Sequence, residues 1–418
     1  MRLALIFGSA LLLGLVGCGD KPSTPDTPGT SEAGTAGGGG DALKPAALDK
    51  EAIDTAIAKG RAYLVALVNE EGAMAVPGLP EPAYPSFTAM GALALVAATP
   101  KGEVEGDATI RKMLDYMLRF QDEESGALIE KTNKTNYATS VLVSALVFAR
   151  IKDLRNNLVR ARAYIEESQI RDEQANLSYG GFPYKQAQGQ PSDLSNGQFA
   201  LDALHAAERE GMKADAKLWE RARVYLDRVQ NRSESNTGRY RIILDDETEA
   251  VATAGDDGGA YYLPGESKAG VEKRANGTYL LHSYGSMTYA LLKCLLFAGV
   301  PVDDPRVEAA IGWIQNNWTL DRNPGFKEDK DLQGYFYYLA TVARALSEYE
   351  RYSGKPFVVR DAAGEPHDWR AELVAKLLEL QRPDGSWVNT EDRWNEGLPA
   401  LTTSYALQAL AFVSGRLP

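Results

Sequence analysis

Six apolar runs of this chain carry polar and aromatic side chains in columns, and one column holds an acid and two bases. Directly before a recurrent pair, a small residue followed by Leu, stand Gly91, Ser144, Asp202, Lys293, Arg344 and Gln408. Four residues earlier come Phe87, Ser140, Gln198, Tyr289, Ala340 and Ser404; a further turn back come Tyr84, Tyr137, Ser195, Ser286, Tyr337 and Leu401. Offsets of three and four keep side chains on one side of a helix, so the columns are expected to look into one cavity. There Asp202 would act as acid or base, while Lys293 and Arg344 would bind an anionic head group. Gln198 and the tyrosines Tyr84, Tyr137, Tyr289 and Tyr337 would contact hydroxyls, a chain or a developing cation. The competing arrangement is that these charges pair with one another or reach outward to water. A pure hydrocarbon would leave them desolvated, which points to a ligand with hydroxyls or a charged end.

A second group lies in residues 231–282, where Asp256, Asp257, Tyr261 and His282 with the following Tyr284 interrupt the pattern. Long insertions in compact folds are often functional loops or lids. His282 would be a general base oriented by Asp256 or Asp257; alternatively it belongs to a solvated loop and caps the next helix.

The elements that must position these residues repeat. Each unit is an amphipathic helix, a Gly turn and a second, more apolar helix. The turn glycines are Gly72, Gly126, Gly180, Gly258, Gly325 and Gly385, with spacings of 54, 54, 78, 67 and 60. A period slightly above 50 with insertions indicates a helical-pair repeat. First helices are expected near 51–68, 106–121, 154–168, 214–230, 304–318 and 368–381, and second helices near 84–98, 136–149, 195–207, 283–298, 334–349 and 402–413. Ala92, Ala145, Ala203, Cys294, Ala345 and Ala409 supply the small residue that lets the layers approach. Cys294 in that column is expected to be a small buried hydrophobe rather than a nucleophile. Tyr240 to Leu244 is the main strand candidate.

The sharpest turn is Gln381-Arg382-Pro383-Asp384-Gly385-Ser386-Trp387. Pro383 stops a helix, Asp384-Gly385 tolerates positive φ, and Trp387 returns a large apolar surface to the helices. This stretch resembles the QW repeat of squalene–hopene cyclases and protein prenyltransferase β subunits, the prenyltransferase/squalene-oxidase type of repeat. The resemblance covers about residues 51–416 and implies an all-α fold, an α/α toroid of six helical hairpins in two concentric layers around a central cavity. An open solenoid would satisfy the same periodicity. The cyclases' Asp-x-Asp-Asp acid is absent, and the histidines are only His205, His282 and His367, so the prenyltransferases' Asp, Cys and His zinc set is not spelled. No metal or cofactor is therefore expected.

Residues 1–18 have a signal-like plan: Arg2, an apolar run from Leu3 to Val16, then Gly17-Cys18. Leu15-Val16-Gly17-Cys18 resembles a bacterial lipobox, which implies acylation of Cys18; a plain secretory signal with an incidental cysteine is the alternative. Residues 19–47 are rich in Gly, Pro, Ser, Thr and Ala and are expected to be a flexible tether, leaving 48–418 as the folded toroid. The expectation is a membrane-anchored lipoprotein of the bacterial cell envelope facing the periplasm. A formal charge of -12 argues against nucleic acid. The ligand classes left open are an isoprenoid or similar extended molecule, a glycan for a lyase or hydrolase, and a protein partner for a non-catalytic scaffold.

Overall fold

The computed structural model describes residues 46–417, apart from 81–83, 133, 173–175 and 186–190. The leader, Cys18 and nearly all of the tether lie outside the described residues. The chain alternates between two layers. Outer α1 (Lys50–Ala66) leads to inner α2 (Pro85–Ala98), α3 (Ala108–Leu118) to α4 (Thr135–Ala149), and α5 (Arg155–Ser168) to α6 (Leu194–Arg209). The order continues with α7 (Ala216–Val229) to α8 (Gly285–Phe297), α9 (Pro305–Asn316) to α10 (Tyr335–Ser353), and α11 (Trp369–Leu380) to α12 (Pro399–Val413). Each inner helix packs on the next, and α12 returns to pack on α2. The ring is closed, which excludes the open solenoid.

The two layers start their helices differently. Outer α1, α3, α7, α9 and α11 carry the N-cap aspartates Asp49, Asp107, Asp215, Asp304 and Asp368, whose carboxylates accept first-turn N–H groups. Inner helices mostly borrow acceptors from elsewhere. Glu130 accepts from the Ser86 N–H at 3.0 Å. The Tyr184 carbonyl accepts from Asn136, Asn323 Oδ1 accepts from Ser286, and Glu396 accepts from Phe336 and Tyr337. Inner helices are apolar nearly all round, as helices surrounded by protein must be: every residue of α2 except Phe87 is buried. The small-residue column sits at the layer contact, with Ala92, Ala145, Ala203, Cys294, Ala345 and Ala409 all 0% exposed. Burial pushes the Cys294 thiol upward, away from the reactive thiolate.

The turns join one repeat to the next. At Gly180 (φ +85°) an added Cβ would lie 1.9 Å from the Arg221 carbonyl oxygen on the next outer helix, so only glycine permits this approach. Gly72, Gly126, Gly258 and Gly385 oppose backbone of the following outer helix in the same way, Gly385 meeting Lys59 across the ring closure. Gly325 departs: it faces the Ser283 carbonyl at the start of α8, so it is not the fifth copy of the turn. Four glutamines act as braces. The side-chain N–H groups of Gln121, Gln169, Gln230 and Gln381 each donate to their own turn glycine's carbonyl and to a carbonyl of the next outer helix. Trp387 is fully buried, and its indole N–H donates to the Leu377 carbonyl at 2.8 Å.

Between α7 and α8 the insertion forms a four-stranded sheet. β1 (Arg239–Ile243) pairs antiparallel with β2 (Glu249–Thr253), and β3 (Val271–Lys273) pairs antiparallel with β4 (Tyr279–Leu281). The order is β1-β2-β4-β3, with β2 and β4 parallel. The main strand candidate of the sequence is thus one of four strands here, and a second, two-stranded sheet pairs Val359–Arg360 with Pro366–His367 before α11.

Candidate functional site

Inside the inner ring the space is divided in two. The wide chamber, about 400 Å³, is lined from the N-terminal turns of all six inner helices. Its walls are aromatic: Phe87, Tyr137, Tyr184, Phe199, Tyr262, Tyr284, Tyr337, Trp394 and Tyr405. The rings brace one another, Tyr137 meeting Phe199 edge-on at 4.9 Å and Phe199 stacking on Tyr337 at 6.1 Å. The Tyr337 hydroxyl accepts from the Gln198 amide and donates to Ser195 Oγ at 3.3 Å. Burial holds the hydroxyls of Tyr137, Tyr184, Tyr262, Tyr284, Tyr337 and Tyr405 above the usual phenol range, so they stay neutral donors.

One buried carboxyl lines this chamber, and a second, Asp193, caps α6 without entering the lining. Glu396 lines it and is 1% exposed. Its oxygens accept from the Phe336 and Tyr337 N–H groups, at 3.0 and 2.8 Å, and from the Asn389 amide at 2.7 Å. Burial outweighs these contacts and raises the carboxyl to about 7. Asp193, the N-cap of α6, is raised to about 7 by burial despite bonds from Asn196 N–H and Tyr262. Lys134 and Lys268 complete the wall, with the Lys268 ammonium 4.3 Å from the Tyr262 ring centre and paired to Glu266.

The deep chamber, about 60 Å³, lies further along the same six inner helices, between Gln198, Asp202, Lys293, Arg344 and Gln408. Phe199, Tyr337 and Tyr405 face both spaces and form a waist between them. Here Asp202, Lys293 and Arg344 meet. Lys293 is ion-paired to Asp202; the Arg344 guanidinium lies 3.4 Å from Asp202 and 3.0 Å from Glu348. Glu348 also pairs with Arg351, whose guanidinium is 3.1 Å from His205 Nε2. Burial first, then the Arg344 and Arg351 charges, push His205 down to about 3. The competing expectation of mutual pairing therefore describes Asp202, Lys293 and Arg344.

Of the other residues singled out in the sequence, Tyr137, Tyr284 and Tyr337 line the wide chamber and Gln198 lines the deep one. Tyr84 sits at the N-cap position of α2, outside both linings. Tyr261 points away from the cavity and donates to the Arg228 carbonyl at 2.8 Å; the adjacent Tyr262 takes the inward position. Tyr289 is buried between helices, edge-on to Tyr338 at 5.6 Å. Asp256 accepts from the Ser233 N–H at 2.8 Å, and Asp257 serves the turn by accepting from the Gly259 N–H and the Ser283 hydroxyl. The His282 ring contacts the Ala269 carbonyl at 3.3 Å and lies 3.8 Å from Glu272. Asp202 lines the deep chamber, whereas Asp256, Asp257 and His282 lie outside both linings; the same insertion sends Tyr262 and Lys268, not its acids or its histidine, into the wide chamber. Glu396 and Trp394 were not foreseen: they come from a loop that has no periodicity. Phe199 and Tyr405 each follow a column residue, Gln198 and Ser404, so a wider stripe would have included them. Among the described residues no cluster of three or more His, Cys, Asp or Glu side chains is placed to share a metal ion. Among them also, no helix is long and apolar enough to cross a membrane.

No protein family model matches this chain, and no curated protein is similar to it in sequence. Solved structures are similar in fold. The type II terpene cyclase MstE from Scytonema superposes with a TM-score of 0.51 at 14% identity, over 88% of this chain and 99% of that one. A variant of MstE, solved with its substrate geranylgeranyl dihydroxybenzoate, gives 0.52 at 13% identity, over 88% and 98%. An alpha-1,6-mannanase from Salegentibacter sp. HEL1_6 gives 0.55 at 8% identity, over 87% of this chain and 100% of that one. An inactive form of that mannanase, altered at two adjacent aspartates, is solved with alpha-1,6-mannotetrose. These likenesses define the class, an α/α toroid shared by terpene cyclases and glycan hydrolases.

Proposed function

We propose that this chain is an envelope lipoprotein, anchored through Cys18 and the 19–47 tether, whose toroid binds an isoprenoid or similarly extended, mostly apolar ligand. The observation that carries this reading is the wide chamber, in which nine aromatic side chains surround about 400 Å³. That size is within the range of roughly 300–1,000 Å³ expected of ligand pockets. Aromatic faces take an apolar chain out of water, which is favourable in itself, and the phenols offer neutral donors to an oxygen on it.

The chemistry of the carboxyls limits what happens there. An acid that protonates an alkene must be strong, whereas Glu396 and Asp193 are raised to about 7. Such carboxyls suit proton exchange with an oxygen near neutral pH. The chain is therefore read as a binder, or a catalyst at an oxygenated carbon, rather than a cyclase of protonated alkenes. A glycoside hydrolase would require two carboxyls flanking the scissile bond. Among the described residues lining the wide chamber, Glu396 is the one carboxylate, which disfavours the glycan reading.

The test is lipid extraction and mass spectrometry of the full chain purified from its membrane, followed by titration with geranylgeraniol and with alpha-1,6-mannotetrose. The expected outcome is an extractable isoprenoid-class lipid and saturable binding of the alcohol. Binding of the oligosaccharide alone would overturn the reading.

A further inference from the structure

One charge on the wall of the wide chamber has no counterpart among the described residues. Lys134, the residue at which α4 begins, is exposed and lines the chamber. Its ammonium forms no ion pair and no hydrogen bond among the described residues. A cation is also the wrong charge for that place in the fold, because the N-terminal end of a helix is partially positive and favours acids. The outer helices with capping aspartates obey that rule, and so does α6 with Asp193. Lys134 works against α4, so its fit is with the space it borders.

The rest of the lining leaves that charge unmatched. Lys268 is ion-paired to Glu266. Glu396, the one carboxyl among the described lining residues, turns its oxygens onto the α10 N–H groups and the Asn389 amide. Glu130 accepts from the Ser86 N–H and the Thr132 hydroxyl and lies outside the lining. The phenols of Tyr184 and Tyr262 stay protonated through burial, so they donate to an acceptor but supply no negative charge.

Both lysines stand on one side of the mouth. The Asn136 N–H in the first turn of α4 donates to the Tyr184 carbonyl, and the Leu194 N–H at the start of α6 donates to the Tyr262 carbonyl. These two inner helices pack on each other. Lys134 directly precedes the first, and the Lys268 ammonium lies 4.3 Å from the Tyr262 ring centre beside the second. Away from this rim the chamber ends on packed rings, Tyr337 lying 6.1 Å from Phe199 and 5.9 Å from Tyr405. One unmatched ammonium balances one negative charge. A carboxylate carries one and only accepts hydrogen bonds. A phosphate carries about 1.5 to 2 near neutral pH and would leave charge uncompensated beside apolar walls.

We infer that the mouth of the wide chamber, where α4 and α6 begin, is a site for the carboxylate of a long-chain acid, with Lys134 as its ion-pair partner and Lys268 beside it. This rests on the reading of the wide chamber as an apolar-ligand site. It gives the ligand a direction: the carboxylate stays at the wet rim, and the chain runs inward to the floor of rings.

The experiment compares geranylgeranoic acid, geranylgeraniol and geranylgeranyl monophosphate by titration calorimetry on the full chain at neutral pH. It uses wild type, Lys134→Gln and Lys131→Gln, the last altering an exposed lysine outside the lining. Wild type should bind the acid at least about fivefold more tightly than the alcohol, and more tightly than the phosphate. Added salt should narrow that preference, because Lys134 is exposed. In Lys134→Gln the preference should fall below about twofold, the loss falling on the acid, whereas Lys131→Gln should keep it. Lys134→Gln should melt no lower than wild type, since it removes a cation from a helix N-terminus; should it fail to fold, the acid-to-alcohol ratio in wild type decides. Equal binding of acid and alcohol, or tightest binding of the phosphate, overturns the inference while sparing the chamber as an apolar-ligand site. An equal loss in Lys131→Gln would mean diffuse attraction rather than a site and also overturns it. Failure of all three probes to bind removes both readings together.

Discussion

The two chambers lie on one axis, lined by the same six helices, yet they are built on opposite principles. The wide chamber collects rings and neutral hydroxyls, and the carboxyl that lines it, Glu396, is raised toward neutrality by burial. The deep chamber collects full charges that satisfy each other, and burial acts there on a base, His205, by keeping it neutral. Opposite charges brought together inside a protein neutralise one another's demand for a ligand. Aromatic surface around open space does not. The difference explains why Asp202, Lys293 and Arg344, the most reactive-looking residues in the sequence, are chiefly partners of each other.

The largest expected effect tests that self-sufficiency. Asp202→Ala strips a shared carboxylate from two buried cations and should cost about 3–5 kcal/mol of unfolding free energy. A loss below 1 kcal/mol in urea titration would show the cluster to be more hydrated than its burial indicates.

Next comes the pH response, where the chambers should oppose each other. Glu396 rises from 4.5 to about 7 on folding, so between those values the folded state holds the extra proton and stability falls as pH rises. His205 drops from 6.5 to about 3, so the unfolded state holds the extra proton there and stability falls as pH drops through that window. Glu396→Gln should remove a slope on the order of 3 kcal/mol between pH 5 and 7. Asp193, raised in the same direction, keeps part of the trend. Urea midpoints that run parallel for wild type and variant across this range would refute the assignment.

A smaller change outside both chambers separates scaffold from site. Gln381→Leu removes the hydrogen bond that ties the turn to the Ala56 carbonyl of α1 and a second one to the turn's own Gly385 carbonyl, and should cost about 1–3 kcal/mol. Ligand affinity per folded molecule should stay constant; altered affinity would show that ring closure sets the chamber's shape. The smallest effect is expected from Tyr137→Phe, which keeps the ring and its edge-on contact with Phe199 and deletes only the hydroxyl. It should lower stability by about 1 kcal/mol or less, with little change in binding of an apolar chain.

Much of the architecture was legible. Gly72, Gly126, Gly180, Gly258 and Gly385 mark real turns because a Cβ there would collide with the next outer helix. Gly325 misled because a glycine in a turn-like context also serves other close approaches, here to Ser283. The site was less legible. The column spacing brought Tyr137, Tyr337, Asp202, Lys293 and Arg344 to the right axis, but their registers place them in different chambers. Glu396 came from a non-repeating loop and was invisible to periodicity.

What the sequence by itself determined is local: the helix periods, the turns at Gly and the position of a small residue along each inner run, each legible from residues a few positions apart. Tertiary structure decided the rest. It closed α12 on α2, paired Lys293 with Asp202 across 91 positions, and capped α10 with a carboxylate 59 positions away. Burial set the protonation of Glu396 and His205, and burial is a property of everything packed around a group rather than of its neighbours in the chain.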